Sequence, residues 1–99
     1  MAFKRWGCEF DGPWPNTDIL RRRSGIWVVW RKCGNRWEVI EVGESWNVQF
    51  SLLARSGELE KQIVPPDTLH YSATYTPSLS AEARRELAAR IRLLALPSQ

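Results

Sequence analysis

The stretch Ser24–Ser45, which reads SGIWVVWRKCGNRWEVIEVGES, decides the fold of this chain. From Ile26 to Lys32 it is rich in β-branched and aromatic residues on both faces, a pattern typical of an internal strand. The following Cys33-Gly34-Asn35-Arg36 supplies turn chemistry, because Gly and Asn tolerate positive φ. Trp37 to Val42 has the composition of a second strand. The short turn therefore predicts an antiparallel hairpin.

Strand alternation divides the second strand between two faces. Trp37, Val39 and Glu41 are expected on one face, and Glu38, Ile40 and Val42 on the other. The three hairpin tryptophans, Trp27, Trp30 and Trp37, are predicted to pack in the core, since large aromatic residues on central strands usually do.

Helix signals follow the hairpin. Gly43-Glu44-Ser45 predicts the end of the strand, and Ser45 or Asn47 can cap a helix that stops at Gly57. Val48 and Leu52 are expected on the packed side of this helix, with Phe50 and Leu53 beside them.

The last third of the chain predicts one more strand and one more helix. Leu69 to Thr76 alternates between apolar and polar residues, as a half-buried strand does. Ser80 is expected to cap the final helix. The apolar stripe of that helix is Ala83, Leu87, Ile91 and Leu94.

This order, β-β-α-β-α, predicts an α+β fold with a small, mainly antiparallel sheet and helices packed on it. Ninety-nine residues correspond to one domain. Residues 1–23, with prolines on both sides of Trp14, are expected to be an irregular lead-in to a core at 24–96.

Hydropathy, net charge and cysteine content limit the classes of protein to which the chain can belong. No run of about eighteen apolar residues is present, and the N-terminus lacks the apolar segment of a signal peptide, so a cytoplasmic protein without a membrane partner is expected. The net charge of +3 permits contact with a polyanion. Cys8, Cys33 and a single histidine do not have zinc-ligand spacing, and two reduced thiols are expected.

Three short motifs resemble the GIY-YIG nuclease superfamily. Gly25-Ile26-Trp27 stands where that family has Gly-Ile-Tyr, and Glu41-Val42-Gly43 stands where it has Tyr-Ile-Gly or Tyr-Val-Gly. Glu44 to Val48 is similar to the run that follows the second motif. Phe10 to Pro13 resembles the approach segment of small single-domain members. The resemblance runs from about residue 10 to residue 95, nearly the whole chain.

The resemblance implies a β-β-α-β-α scaffold and a nuclease that cuts the phosphodiester backbone with one divalent metal, Mg²⁺. Trp27 and Glu41 stand at its two tyrosine positions. The family's helix arginine falls at Ser51, or at Gln49 in another register, and Arg55 is the nearest substitute. Glu86, with Glu82 as second choice, stands for the metal-binding glutamate.

These substitutions predict a domain with little or no catalysis. An indole N–H donates only and cannot serve as a base, and a carboxylate at position 41 would repel a phosphate. Each lost base or transition-state donor typically costs about two to four powers of ten in rate.

Three functions are open at this point. The leading one is binding of DNA or RNA by a nuclease-like domain. The second is a protein-interaction or structural module that uses exposed tryptophans such as Trp14 or Trp46. The third is a Mg²⁺-dependent endonuclease in which Glu41 and Glu86 converge on one metal and Arg55 supplies positive charge. The residues proposed for nucleic-acid contact are Arg21, Arg22, Arg23, Trp46, Arg84 and Arg85.

The ordinary roles of these residues are also open. Arg21 to Arg23 and the arginines of the last helix can be solvated charges, and Glu86 can be an exposed helix carboxylate. Trp27 or Trp46 can instead offer a stacking surface for a nucleobase. His70 is expected on the polar face of its strand.

Overall fold

A computed structural model describes residues 2–96, which form one five-stranded sheet with two helices. The elements are β1 (Ala2–Arg5), β2 (Cys8–Trp14), β3 (Gly25–Cys33), β4 (Arg36–Ser45), α1 (Val48–Glu60), β5 (Thr68–Tyr75) and α2 (Ala81–Ala95). The α+β class is confirmed, and β3 to α2 follow the predicted β-β-α-β-α order.

The sheet has the strand order β1-β2-β5-β3-β4, and every neighbouring pair is antiparallel. β3 lies between β4 and β5, which confirms that a strand with apolar residues on both faces is internal. Its alternate side chains enter two separate cores. Trp27 and Val29 face α1, whereas Ile26, Val28 and Trp30 face α2.

The two helices therefore cover opposite faces of one sheet. The α1 face buries Leu20, Trp27, Val29, Val48, Leu52, Leu59, Leu69, Tyr71 and Ala73. The α2 face buries Phe10, Ile26, Val28, Trp30, Val42, Ala88 and Ile91. No helix among residues 2–96 combines the length and the apolar character needed to cross a membrane.

Residues 2–14 form two strands, so the predicted irregular lead-in is wrong there. Trp6 and Gly7, both at positive φ, make a two-residue turn between β1 and β2. β2 then pairs with β5, and Gly12 lies against the backbone of that strand: a Cβ at Gly12 would come 2.7 Å from the carbonyl oxygen of Tyr71. Pro13 is tolerated because the register of this pairing shifts between Asp11 and Trp14.

A bulge changes the predicted faces of β4. Val29 is opposite Glu41 and Trp30 is opposite Val39, so Ile40 is an extra residue in β4. Ile40 packs toward α1, while Val39 packs with the α2 face. The expectation that Ile40 shares a face with Val42, and Val39 with Glu41, is therefore wrong.

β4 does not stop at Gly43. Pairing continues through Trp27 with Gly43 to Gly25 with Ser45. The glycine is accommodated because the indole of Trp27 lies across it, in the space that a larger residue would fill. The packing of Trp27 on Gly43 therefore lets β4 continue where the composition predicts its end.

Both predicted caps are confirmed, but one helix end and one helix face differ. The Asn47 side chain accepts a hydrogen bond from Phe50 N, and the Ser80 side chain accepts one from Ala83 N. α1 runs through Gly57 to Glu60, because buried Leu59 keeps the helix packed. On α2, Leu94 is exposed and Arg84, Ala88 and Ile91 are the buried residues, so the predicted apolar stripe is rotated.

Candidate functional site

Trp27, at the first family tyrosine position, is a packing residue. Its side chain is 8% exposed and belongs to the α1-face core. It lies so close to Gly43 that a Cβ at Gly43 would collide with the six-membered ring. The indole Nε1 is buried and has no hydrogen-bond partner in the part of the chain described. Trp27 is therefore not a surface on which a nucleobase can stack.

Glu41 and Arg55 are brought together, but as partners of each other. Arg55 Nε and Nη2 each donate to one oxygen of the Glu41 carboxylate at 2.8 Å. This hydrogen-bonded pairing, and then the carboxylate charge, raises the pKa of the Arg55 guanidinium. The arginine that would have to stabilise a phosphate is thus already neutralised by the residue at the second tyrosine position.

Glu86 lies away from this pair. It is an exposed residue of α2, which packs on the face of the sheet opposite to α1 and its Glu41–Arg55 pair. Glu82 is exposed in the first turn of the same helix. The predicted convergence of Glu41 and Glu86 on one metal is therefore wrong. Residues 2–96 contain no group of three or more His, Cys, Asp or Glu side chains placed to hold a metal ion.

Ser51, at the expected arginine position, belongs to a local hydroxyl network. Its Oγ donates to Ser45 Oγ at 2.5 Å, and Ser45 Oγ also accepts from Asn47 N at 2.9 Å. These bonds join the end of β4 to the first turn of α1. The position stabilises the strand–helix junction and carries no charge.

The arginines proposed for α2 do not both reach solvent. Arg84 is 8% exposed, and its Nε donates to a carboxylate oxygen of Glu44 at 2.6 Å. Its prediction as a nucleic-acid contact is wrong, because this guanidinium docks α2 on β4. Arg85 is exposed on the same helix.

The arginine run before β3 has a defined place at the start of α1. Arg23 O accepts from Val48 N at 2.9 Å, and Arg21 O accepts from Gln49 N at 3.3 Å. Arg22 Nε donates to Gln49 Oε1 at 3.0 Å. Arg21 N donates to the Tyr75 hydroxyl at 2.9 Å. Main-chain bonds therefore fix the run across the helix N-terminus, while all three arginines stay exposed.

Large apolar side chains are exposed just before α1 and in its first two turns. Trp46 is 72% exposed, Phe50 63% and Leu53 61%. Phe50 and Leu53 line a shallow hollow of about 290 Å³ together with Arg22, Asn47 and Gln49. We call the set Arg21, Arg22, Arg23, Trp46, Phe50 and Leu53 the arginine–aromatic surface.

The electrostatics of this surface come from side chains. The first amides of α1 are all bonded within the chain: Val48 N and Gln49 N to the arginine run, and Phe50 N and Ser51 N to Asn47. An anion at this surface must therefore be bound by the guanidinium groups rather than by free helix amides. The ion pairs formed within residues 2–96 use Arg31, Arg55 and Arg84, so no carboxylate is paired with Arg21, Arg22 or Arg23.

Two residues of the arginine–aromatic surface were not identified as site residues from the sequence. Phe50 and Leu53 look like neighbours of the packed residues, but Val48, Leu52 and Leu59 are the apolar residues that α1 buries. Helical spacing puts 50 and 53 on the far side of that stripe. The usable signal is that α1 has more large apolar residues than one face can bury.

No family model, curated protein or solved structure matches this chain.

Proposed function

We propose that this chain is a nucleic-acid-binding domain that holds single-stranded DNA or RNA on the arginine–aromatic surface. The observation that carries the proposal is that exposed Phe50 lines one hollow with Arg22, and that exposed Trp46, Arg21 and Arg23 flank the same helix N-terminus, none of the three arginines being ion-paired within residues 2–96. Single-strand binding proteins combine these two elements, because every base has a face that stacks and every phosphate is an anion.

The chemistry of each side chain determines which part of the nucleic acid it contacts. Guanidinium groups of Arg21 to Arg23 contact phosphates, and the N–H fork of arginine suits their oxygens. Trp46 and Phe50 stack on bases, at about 1–3 kcal/mol per stacked base. Neither contact reads a base edge, so binding with little sequence preference is expected.

The candidate site favours binding of nucleic acid without the cleavage that the GIY-YIG resemblance would imply. Trp27 is buried, Arg55 is neutralised by Glu41, and Glu86 lies across the sheet. These placements favour a domain that does not cut the strand and that contacts it through a different surface.

Fluorescence anisotropy with labelled oligo(dT) and oligo(U) tests the proposal. We expect the affinity to fall steeply as salt rises from about 50 to 200 mM, because phosphate contacts release counterions. Trp46→Ala and Phe50→Ala should each weaken binding by about tenfold, from the loss of one stacked base. Arg22→Gln should weaken binding and reduce the salt slope by about 1.

Matched controls come from α2. Arg90→Gln removes the same charge, and Leu93→Ala truncates an apolar side chain that is 83% exposed; both should leave the affinity unchanged. Absence of binding to either oligonucleotide at low salt, or equal losses in the α2 variants, would contradict the proposal.

A protein-interaction surface is the second candidate, and Leu53 is the observation that favours it. Leucine offers apolar area but no aromatic face, and Trp and Arg are enriched in protein interface hot spots. Leu53→Ala separates the two functions. Oligonucleotide affinity should not change if the surface stacks bases, whereas a protein partner that needs the apolar hollow would lose affinity.

A further inference from the structure

A second concave site lies on the other face of the sheet, where β1 approaches the β3–β4 hairpin. It is an open cleft of about 280 Å³ lined by Phe3, Arg5, Pro13, Trp30 and Trp37. Trp30 is on the α2 side of the sheet, so the cleft is separated from the arginine–aromatic surface by the sheet itself. Its function is independent of the one proposed above.

The aromatic walls of the cleft are held by other side chains. Trp30 stacks on Trp6, with ring centroids 5.8 Å apart and an interplanar angle of 17°. Phe3 and Trp37 meet Trp30 edge to face, at 6.1 and 6.3 Å. Trp30 Nε1 donates to Ser72 Oγ at 2.9 Å, which fixes its indole. The walls are thus in place before any ligand binds, which lowers the ordering cost of binding.

The cleft is positively charged. The Arg5 guanidinium carbon lies 5.2 Å from the centroid of Trp6 and 5.8 Å from that of Trp30. Lys32 Nζ lies 5.2 Å from the centroid of Trp37. None of the residues that line the cleft is acidic, and neither cation takes part in an ion pair among residues 2–96.

Arg5 is well suited to bind an anion. A guanidinium that rests on aromatic rings uses its face for the cation–π contact, while its five N–H donors lie in its own plane. That plane can bind a carboxylate through two parallel hydrogen bonds. Among the described residues that line the cleft, Arg5 is the one cation, so it would hold one carboxylate group while Lys32 stands outside the lining.

We propose that this cleft binds a planar aromatic carboxylate, with its ring between the aromatic walls and its carboxylate on Arg5. The ring gains offset or edge-to-face contact chiefly with Trp37, which is 43% exposed, and with the partly buried Phe3, while Trp30, at 4% exposed, forms the floor of the cleft. The positive potential of Arg5 and Lys32 attracts the anion and repels a cation of the same shape.

NMR of the indole N–H groups tests the proposal, with three probes that separate charge from shape. The probes are 2-naphthoate, 2-naphthylmethylammonium and cyclohexanecarboxylate. We expect saturable shifts of the Trp30 and Trp37 indole signals with 2-naphthoate, at least tenfold weaker binding of cyclohexanecarboxylate, and no binding of the ammonium compound. Single Trp→Phe variants assign the signals.

Variants of one strand provide the matched comparison. Arg5→Gln should weaken 2-naphthoate binding by about tenfold or more, the effect expected for a lost charge-assisted hydrogen bond. Lys4→Gln makes the same charge change on β1 outside the lining and should have little effect. Trp37→Ala should also weaken binding, and it is expected to fold because Trp37 is 43% exposed.

Three results would overturn the proposal: unchanged Trp30 and Trp37 signals, equal binding of the ammonium compound, or equal losses in Lys4→Gln and Arg5→Gln. Trp46→Ala keeps this test apart from the nucleic-acid proposal, because it should leave 2-naphthoate binding intact.

Discussion

At the scale of single residues, the pair formed by Trp27 and Gly43 links the two motifs of the hairpin. The two residues are directly opposite each other on β3 and β4, and the indole occupies the space above the glycine. The glycine of Glu41-Val42-Gly43 is thus needed for packing in this chain. The pair accounts for both residues without any catalytic role.

Substitution of this glycine should destabilise the protein. In Gly43→Ala the new methyl group would collide with the Trp27 ring, and overpacking of this kind costs about 1–3 kcal/mol. Gly57→Ala is the matched control: it lies within α1 with open space around it and should stabilise by about 0.4–1 kcal/mol. Urea unfolding measures both. Equal midpoints for the two variants would show that the Trp27–Gly43 contact is not tight.

His70 should make the free energy of unfolding depend on pH. Burial, and then the charge of Lys32, lowers the pKa of His70 below its usual 6.5. As the pH falls below about 6.5, the unfolded chain takes up a proton that the folded chain resists. The contribution of His70 is therefore complete above that pH and decreases as the pH falls toward the folded-state pKa.

The chain has one histidine, so an NMR titration of its ring protons reports the folded pKa without ambiguity. Lys32→Gln should raise that pKa, because it removes a repelling charge. Urea midpoints at pH 7 and pH 5 should differ less in His70→Gln than in the parent protein. A folded-state titration midpoint at or above 6.5 would contradict the prediction.

At the scale of the elements, the two helices are attached to the sheet by different forces. α1 buries Val48, Leu52 and Leu59, whereas α2 buries Ala88 and Ile91 together with Arg84. α2 adds two polar links to β4: the Arg84–Glu44 ion pair, and the Arg92 guanidinium bonded to Val42 O at 2.9 and 3.3 Å. α1 also has an ion pair to β4, Arg55–Glu41, but that arginine side chain is 43% exposed, so α2 depends on buried electrostatic contacts more than α1 does.

Two glutamate variants on β4 test this difference. Glu44→Gln leaves the buried Arg84 guanidinium without a countercharge, and we expect a loss of about 2–3 kcal/mol, below the range for a fully buried pair because Glu44 is partly exposed. Glu41→Gln breaks the Arg55 pair, whose arginine side chain is 43% exposed, and should shift the urea midpoint much less. A larger effect of Glu41→Gln than of Glu44→Gln would contradict the assignment.

Elements with local causes could be predicted from the sequence. The β3–β4 hairpin depends on its own turn residues, and the Asn47 and Ser80 caps on side chains within three residues of their partners. β2 was not predicted, because its prolines indicate irregular backbone, whereas it pairs with β1 across a short turn and with β5, far along the chain. The bulge at Ile40 could likewise not be predicted, because it allows Val39 to pack in one core and Ile40 in the other.

The site was only partly predictable for the same reason. The Arg21–Arg23 run and exposed Trp46 are visible in the sequence, and their places are set by main-chain bonds to α1. The exposure of Phe50 depends on which side of α1 meets the sheet. The burial of Arg84 depends on Glu44, forty residues earlier in the chain. Long-range packing therefore decided which of the predicted site residues reach solvent.

At the scale of the whole molecule, the segment before β3 is part of both cores. Leu20 is buried on the α1 face and Phe10 on the α2 face. β2 covers the edge of β5 that β3 leaves free. The sequence-based boundary, with a core at 24–96, therefore cuts through a unit that the structure completes with residues 2–23.

This arrangement predicts how fragments behave. A 24–96 fragment lacks Phe10 and Leu20 and leaves one edge of β5 unpaired, so it should show no cooperative unfolding transition in urea. An 8–96 fragment keeps β2 and both core residues but loses Phe3 and Trp6, which pack on Phe10; it should unfold cooperatively at a lower midpoint than the full chain. Circular dichroism and tryptophan fluorescence should give coincident curves for the full chain and for 8–96. A cooperative transition of 24–96 near the midpoint of the full chain would instead place the boundary of the folding unit at β3, because it would show that neither β2 nor its buried side chains are needed to close the sheet.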